Sequence, residues 1–272
     1  MIDSFRRLFG GTERVRVFRA PGRTNLIGEH TDYNLGFVLP VALQLATYVA
    51  TAPSGDGKLH IYSEDLGELR AFDVAGLADL KHRHEWSDYV IGVAQELLRL
   101  GYAIDGANLL IRSTVPRGAG LSSSAALEVS SALALLLDRA IEPLQLALLC
   151  QRAERNFVGM PCGIMDQYIS IFGREHAAVE IDCRSLGNRT VPLPGGTAFV
   201  AVNSMVKHEL SGSAYRDRVA ECAAATEALG VESLRDVTPT HLEANAVRLS
   251  PVILRRARHI VTENDRVNHF VN

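Results

Sequence analysis

The stretch from Ala107 to Asp138 constrains the fold more than any other part of the chain, because it joins an apolar run, a glycine loop and a long Ala, Leu and Ser segment. Its composition predicts a strand over 107–114, a loop from Pro116 to Gly120 and a helix over Ser123–Asp138. The loop itself reads Arg117-Gly118-Ala119-Gly120-Leu121-Ser122-Ser123-Ser124-Ala125. Unpaired N–H groups and the positive end of the following helix would hold an anion there, and phosphate is the natural guest. Glycine lets the backbone approach a ligand closely, and serine hydroxyls can donate to phosphate oxygens or, at one position, coordinate magnesium. A Ser-rich helix start would give similar letters without any ligand. The loop also lacks the lysine of a Walker A motif and the third glycine of a dinucleotide fingerprint. Asp138 stands where it imitates a ribose-binding acid, so a nicotinamide-dependent oxidoreductase is a rival reading.

Before this unit, Val15 with Val17, Val41–Ala52 and Leu59–Tyr62 read as strands, and Ser87–Leu100 reads as a helix ended by Gly101. After it, Leu144–Phe157, Ile164–Phe172 and Ser213–Leu229 read as helices, and Ala177–Cys183 and Ala198–Val202 as strands. Strands and helices mix without an internal repeat. The Pro and Gly cluster over 191–196 is the natural junction between two halves, and the segment Pro251–Asn272 is a charged helix with no cap after it. In that helix Val252, Ile253, Ile260 and Val261 need a surface to cover.

With 272 residues, 47% of them hydrophobic, the chain can bury one large core or two modest ones. Its net charge of −3, with both signs interspersed, offers no basic stripe for nucleic acid. No run approaches the roughly 20 apolar residues of a membrane span, and no signal peptide precedes the first strand, so a cytoplasmic protein with small-molecule partners is expected. Cys150, Cys162, Cys183 and Cys222 are widely spaced and form no C-x-x-C pair, as expected of reduced, buried thiols. His82, His84, His176, His241, His259 and His269 match no motif and read as surface residues.

A second loop follows the first predicted strand: Ala20-Pro21-Gly22-Arg23-Thr24-Asn25-Leu26-Ile27-Gly28-Glu29-His30-Thr31-Asp32-Tyr33. Glu29, His30 and Asp32 supply acceptors and a donor within four residues, which suits directional hydrogen bonds to several hydroxyls of one sugar. A surface turn would serve with fewer charges. This segment resembles the galactokinase signature, and the loop Gly118–Ala125 resembles the phosphate-binding motif of GHMP small-molecule kinases. Further along, Glu154-Arg155-Asn156-Phe157-Val158-Gly159-Met160-Pro161-Cys162-Gly163-Ile164-Met165-Asp166-Gln167 looks like the catalytic segment of that family. Val202–Leu210 with Ser213-Ala214-Tyr215 resembles the galactokinase stretch that comes next.

The resemblance implies a two-domain α+β GHMP kinase fold. A ribosomal protein S5 domain 2-like N-terminal domain would occupy residues 1–190, and a truncated ferredoxin-like C-terminal domain residues 191–272. It implies ATP-dependent phosphorylation of galactose at the C1 hydroxyl, with Mg2+ as cofactor. Glu29, His30, Thr31, Asp32, Gly163, Asp166 and Tyr215 would contact the sugar. Gly118, Ala119, Gly120, Leu121, Ser122, Ser123 and Ser124 would hold the triphosphate, with Trp86 and Tyr89 on the adenine side, although burial statistics alone would put those two in the core. Ser124 and Glu154 match magnesium ligands. Asp166 matches the base that takes the acceptor proton, and Arg23 its partner, which stabilises negative charge on the transferring group. The glycine-rich third motif near the carboxyl end of family members has no counterpart before Asn272. A weakly active or inactive sugar- and ATP-binding protein, or a kinase for a related sugar such as N-acetylgalactosamine, is therefore the alternative.

Overall fold

The expected strand, loop and helix form as β6 (Ala107–Ser113), an open loop and α3 (Ser123–Leu136) in the computed structural model, which describes residues 1–11, 14–196, 198–202 and 211–271. The other strands are β1 (Arg16–Asn25), β2 (Phe37–Val38), β3 (Pro40–Pro53), β4 (Lys58–Ser63), β5 (Glu68–Asp73), β7 (Ala177–Asp182) and β8 (Asn188–Pro192). The other helices are α1 (Ile2–Phe9), α2 (Asp88–Arg99), α4 (Pro143–Arg152), α5 (Met165–Phe172), α6 (Ser211–Leu229), α7 (Pro239–Ala244) and α8 (Pro251–Val271). Among the described residues no helix is long and apolar enough to cross a membrane.

Packing divides the chain into two compact units: residues 1–23, 43–159 and 166–171 form one, and residues 24–42, 160–165 and 172–272 the other. The chain passes between them several times, and the expected junction at 190/191 falls inside β8.

The first unit is built on a five-stranded sheet of order β1-β3-β6-β4-β5. β6 runs antiparallel to β3 and parallel to β4, with Ala50 opposite Leu110 and Ile61 opposite Leu109. This mixed ladder excludes the Rossmann reading, which needs a parallel sheet. Asp138 sits far from any ribose-binding role: it is exposed and pairs with Arg16 at 2.7 Å. The apolar faces of α2, α3 and α4 cover the sheet, burying Leu59, Ile61, Val93, Leu97, Leu109, Leu135 and Leu149. α3 is buried nearly all round, which its Ala-rich sequence allows because small side chains let neighbouring elements approach. Where one helix was expected over 144–157, α4 ends at Arg152 and a wider π-helical turn runs over Ala153–Val158. Such turns concentrate at functional positions, and this one carries Glu154.

The second unit has a three-stranded antiparallel sheet of order β2-β7-β8 and a helical part in which α8 packs on α6 and α7. Ile260 and Val261 of α8 are buried with Leu229, Leu234 and Leu242, so the unit itself supplies the surface those residues need; Val252 stays exposed. Cys150, Cys183 and Cys222 are buried and Cys162 is half-buried, all as free thiols. The strand expected over 198–202 does not form: no ladder partner reaches it among the described residues, and Val200 and Val202 stand in solvent.

Candidate functional site

In the first unit the glycine loop leaves β6 with Gly118 and Gly120 in the left-handed region, at φ +69° and +70°. A side chain at either would be strained, and no atom lies within 4 Å of where its β-carbon would be, so the backbone faces open space. Ser122, ahead of α3, is also left-handed at φ 56° although it carries a side chain. Two bonds hold the loop against the end of β1: Arg23 N–H donates to the Leu121 carbonyl at 3.1 Å, and Arg23 Nη1 donates to the Gly120 carbonyl at 2.6 Å. Ser123 and Ser124 occupy the first turn of α3, where backbone N–H groups have no helical acceptor.

Asp166, in the first turn of α5, takes a two-pronged contact from Arg23, with Nε to Oδ1 at 2.8 Å and Nη2 to Oδ2 at 2.9 Å. The Ser122 hydroxyl donates to the same Oδ2. Both charged side chains are largely sheltered, with 16% and 22% of their surface exposed. These residues lie 143 positions apart in the sequence, and the fold brings them together.

Behind Asp166, the fully buried Gln167 donates through Nε2 to Glu128 at 2.9 Å and to Glu154 at 2.7 Å. Burial, and then the charge of Glu154, push the Glu128 carboxyl well above the ordinary carboxylate range. Among the described residues, Glu128 Oε1 and Gln167 Oε1 are buried without a hydrogen-bond partner. These are hard oxygen donors beside a carboxylate, the chemistry that suits Mg2+. Among the described residues no three His, Cys, Asp or Glu side chains converge as a metal cage. A magnesium ion that completes its shell with water and substrate phosphates requires none. Glu128 and Gln167 were missed as site neighbours because α3 and α5 read as apolar helices, and nothing in the spacing marks their contact.

Trp86 precedes α2 instead of sharing its face with Tyr89: the turn before the helix is capped by Asp88, whose carboxylate accepts from the Arg83 and Glu85 N–H groups. The Trp86 indole donates to Glu68 at 2.9 Å. Tyr89 is half-buried in the first turn of α2.

In the second unit the loop between β1 and β2 carries Glu29, His30, Thr31 and Asp32. His30 is left-handed at φ 66°, a conformation rare for a residue with a side chain and a mark of a constrained position. Burial lowers the His30 pKa below its ordinary value, an effect that the Glu29 charge opposes and His259 and Arg218 reinforce. The Tyr33 hydroxyl lies 3.0 Å from His30 Nδ1, and burial, then Cys222, push that phenol far up, so it stays protonated. Thr31 differs from expectation. It is fully buried, and its hydroxyl lies 2.8 Å from the Gly28 carbonyl and 2.6 Å from the Phe37 carbonyl, so it braces the loop from within. Glu29 is exposed and accepts from Asn25 Nδ2 at 2.9 Å. Gly163 lies against Asp32 so closely that a β-carbon there would fall 2.0 Å from Asp32 Oδ2. The Tyr215 ring stands 6.0 Å from His30 and 5.6 Å from Tyr33. A cavity of about 190 Å³ opens beside them, lined by His30, Tyr33, Arg218, Cys222, Arg256 and His259. His259, expected at the surface, is thus part of this cluster. Of the galactokinase-like stretch over 202–210, Asn203–Leu210 lies outside the described residues.

Residues 3–53 match the galactokinase galactose-binding signature, and residues 88–174 match the GHMP kinases N terminal domain. The galactokinase of Roseiflexus sp. (strain RS-1) is 46% identical over 271 residues, covering 97% of this chain and 68% of the relative. The crystal structure of Lactococcus lactis galactokinase complexed with galactose superposes with a TM-score of 0.87 at 33% identity, covering 98% of this chain and 71% of that one. The Methanococcus jannaschii mevalonate kinase superposes with a TM-score of 0.58 at 16% identity over 94% of this chain and 83% of its own, a likeness of fold alone.

Two outcomes follow from the geometry of the second unit. Gly163→Ala forces Asp32 aside, and overpacking of this kind costs about 1–3 kcal/mol, read as a lower urea midpoint. His30 titrates below 6.5 in the folded chain and near 6.5 when unfolded. Unfolding therefore takes up a proton as pH falls below 6.5, and the stability present above that pH is lost as pH falls through the folded pKa. A nuclear magnetic resonance titration of the His30 ring checks this, with a midpoint at or above 6.5 contradicting it.

Proposed function

Because this chain belongs to the galactokinase family of GHMP kinases, we propose that it transfers the γ-phosphoryl group of ATP to the C1 hydroxyl of galactose, releasing galactose 1-phosphate and ADP. The observation that carries this reading is the Asp166 carboxylate held between Arg23 and Ser122 beside the open glycine loop. In it the N–H groups of 118–124 and the hydroxyls of Ser123 and Ser124 hold the triphosphate. Asp166 accepts the C1 hydroxyl proton while the sugar oxygen forms its bond to the γ-phosphorus and the bond to the ADP oxygen breaks. Arg23 orients Asp166 and stabilises negative charge on the transferring group. Glu29, His30 and Asp32 grip the sugar hydroxyls, with Tyr215 beside them and Gly163 leaving Asp32 its place. Trp86 and Tyr89 serve the adenine side. Ser124 and Glu154 are the ligands assigned to Mg2+, which when bound screens the charge of the β- and γ-phosphates. The four free thiols suit a reducing, cytoplasmic setting.

A coupled assay for sugar-dependent ADP release over galactose, N-acetylgalactosamine and other hexoses tests the reading. Release with galactose above all others supports it. Folded protein that binds galactose and ATP without turnover would mark a binding protein instead. Asp166→Asn lowers turnover by at least about two orders of magnitude, the usual scale for losing a general base, with little change in ATP binding. Ser124→Ala and Glu154→Gln raise the magnesium concentration needed for half-maximal turnover while sugar affinity holds. A wild-type magnesium dependence in both would move the metal elsewhere.

A further inference from the structure

The loop over 28–37 must keep His30 and Leu35 in left-handed conformations, at φ 66° and 56°, in a segment whose peptide groups have few ladder partners. Such a loop persists only where its surroundings over-determine it. Ser233 and Arg235 donate to the Asn34 and Leu35 carbonyls at 2.5 Å and 2.8 Å, and α8 supplies the rest of that constraint at the two ends of the loop. Glu263 Oε1 accepts from the Gly28 N–H at 2.8 Å and the Glu29 N–H at 3.2 Å. Asn264 Oδ1 accepts from the Phe37 N–H at 3.0 Å, so both ends of the loop are held. His259 Nε2 lies 2.9 Å from the Glu29 carbonyl. A carbonyl only accepts, so this nitrogen carries the hydrogen and donates whether the ring is neutral or charged.

These three residues stand at i, i+4 and i+5 of α8 and span a broad stripe of the helix, about 140° wide at roughly 100° per residue. The stripe does not drift, because Ile260, Val261 and Val267 are buried in the core of the same unit. Glu263 and Asn264 are themselves buried, at 6% and 7% exposure, and Arg266 holds the second Glu263 oxygen at 2.8 Å. The fit is close enough to dictate sequence on the loop side: a β-carbon on Gly36 would fall 2.3 Å from Asn264 Oδ1.

We propose that His259, Glu263 and Asn264 are positioning residues for sugar recognition: they fix the main chain of the loop so that Glu29, His30 and Asp32 are set before the sugar arrives. The inference rests on the reading of that loop as sugar-binding. A loop ordered in advance loses less freedom on binding, so the helix contributes affinity for the sugar through the loop it holds. The expected signature is selective, since the phosphate-binding residues belong to other segments.

The test titrates the full chain calorimetrically with galactose and, separately, with ATP. His259 is half-exposed and tolerates replacement, so His259→Ala is the first variant. His259→Gln keeps an N–H donor, and Glu263→Gln keeps the size of the buried side chain. Loss of the His259 donor in His259→Ala, and in Glu263→Gln of the carboxylate charge that the loop N–H groups and Arg266 share, weakens galactose binding about 3–10-fold, while ATP binding stays within about twofold. His259→Gln recovers galactose affinity to within about twofold of wild type. Wild-type galactose affinity in both His259→Ala and Glu263→Gln would overturn the proposal. Galactose and ATP binding falling in equal proportion would also overturn it, because that pattern marks a purely structural contact. A folded wild-type chain that does not bind galactose would instead overturn the sugar-binding reading itself.

Discussion

The contact between Arg23 and Asp166 organises the first unit's chemistry, because three segments distant in sequence meet at it. A bidentate guanidinium–carboxylate pair fixes direction as well as distance, which a lysine in the same place would not do. Arg23 also donates through Nη1 to Gly120 and through its backbone N–H to Leu121, so one residue helps set both the position of the carboxylate and the shape of the glycine loop. Ser122 closes the triangle from the loop side. Loosening any corner would move the proposed base relative to the phosphate-binding backbone, and errors near 1 Å are costly where reacting atoms must be aligned.

The acids around this centre are sorted by environment. Asp166 meets a cation and a hydroxyl, whereas the Glu128 carboxyl, fully buried beside Glu154, is pushed well above the ordinary carboxylate range. Gln167 separates the deeper pair, offering one amide nitrogen to both. Without that donor two carboxyl groups would face each other in an apolar interior, where like charges are strongly unfavourable. The upward shift of the Glu128 carboxyl and the bridging amide thus answer the same crowding of acids.

Much of this was legible in the sequence, for identifiable reasons. The strand, glycine loop and helix over 107–138 were readable because composition changes sharply at each border, and the polar loop at 29–32 because so many charges in one turn have no packing explanation. The β5 strand was not seen, since Glu68–Asp73 mixes charges into its alternation, nor was α1, whose only buried residue is Phe5. The expected strand over 198–202 failed because β-branched residues make a strand only where another strand pairs with them. His259 read as a surface residue since its partner is a backbone carbonyl 230 positions away, and carbonyls leave no trace in a sequence. Thr31 stood in the sugar signature by resemblance, yet its hydroxyl is used up on the loop's own carbonyls. Side chains that serve the main chain are the ones pattern reading misses.

Two of the left-handed residues with side chains, Ser122 and His30, show why the site resists reading from composition. Glycine would take either conformation at no steric cost, so the sequence alone gives no hint that these positions are bent. Each is held by a bond that glycine could not make: Ser122 through its hydroxyl to Asp166, His30 through its ring nitrogen to the Tyr33 hydroxyl. The strain and the bond belong together, because the left-handed turn aims the side chain and the bond then holds the turn. A glycine at either place would relax the backbone and remove the group that needed aiming. Each proposed ligand-binding loop thus holds at least one such residue whose side chain is fixed by a bond, so strain and side-chain placement are coupled in both.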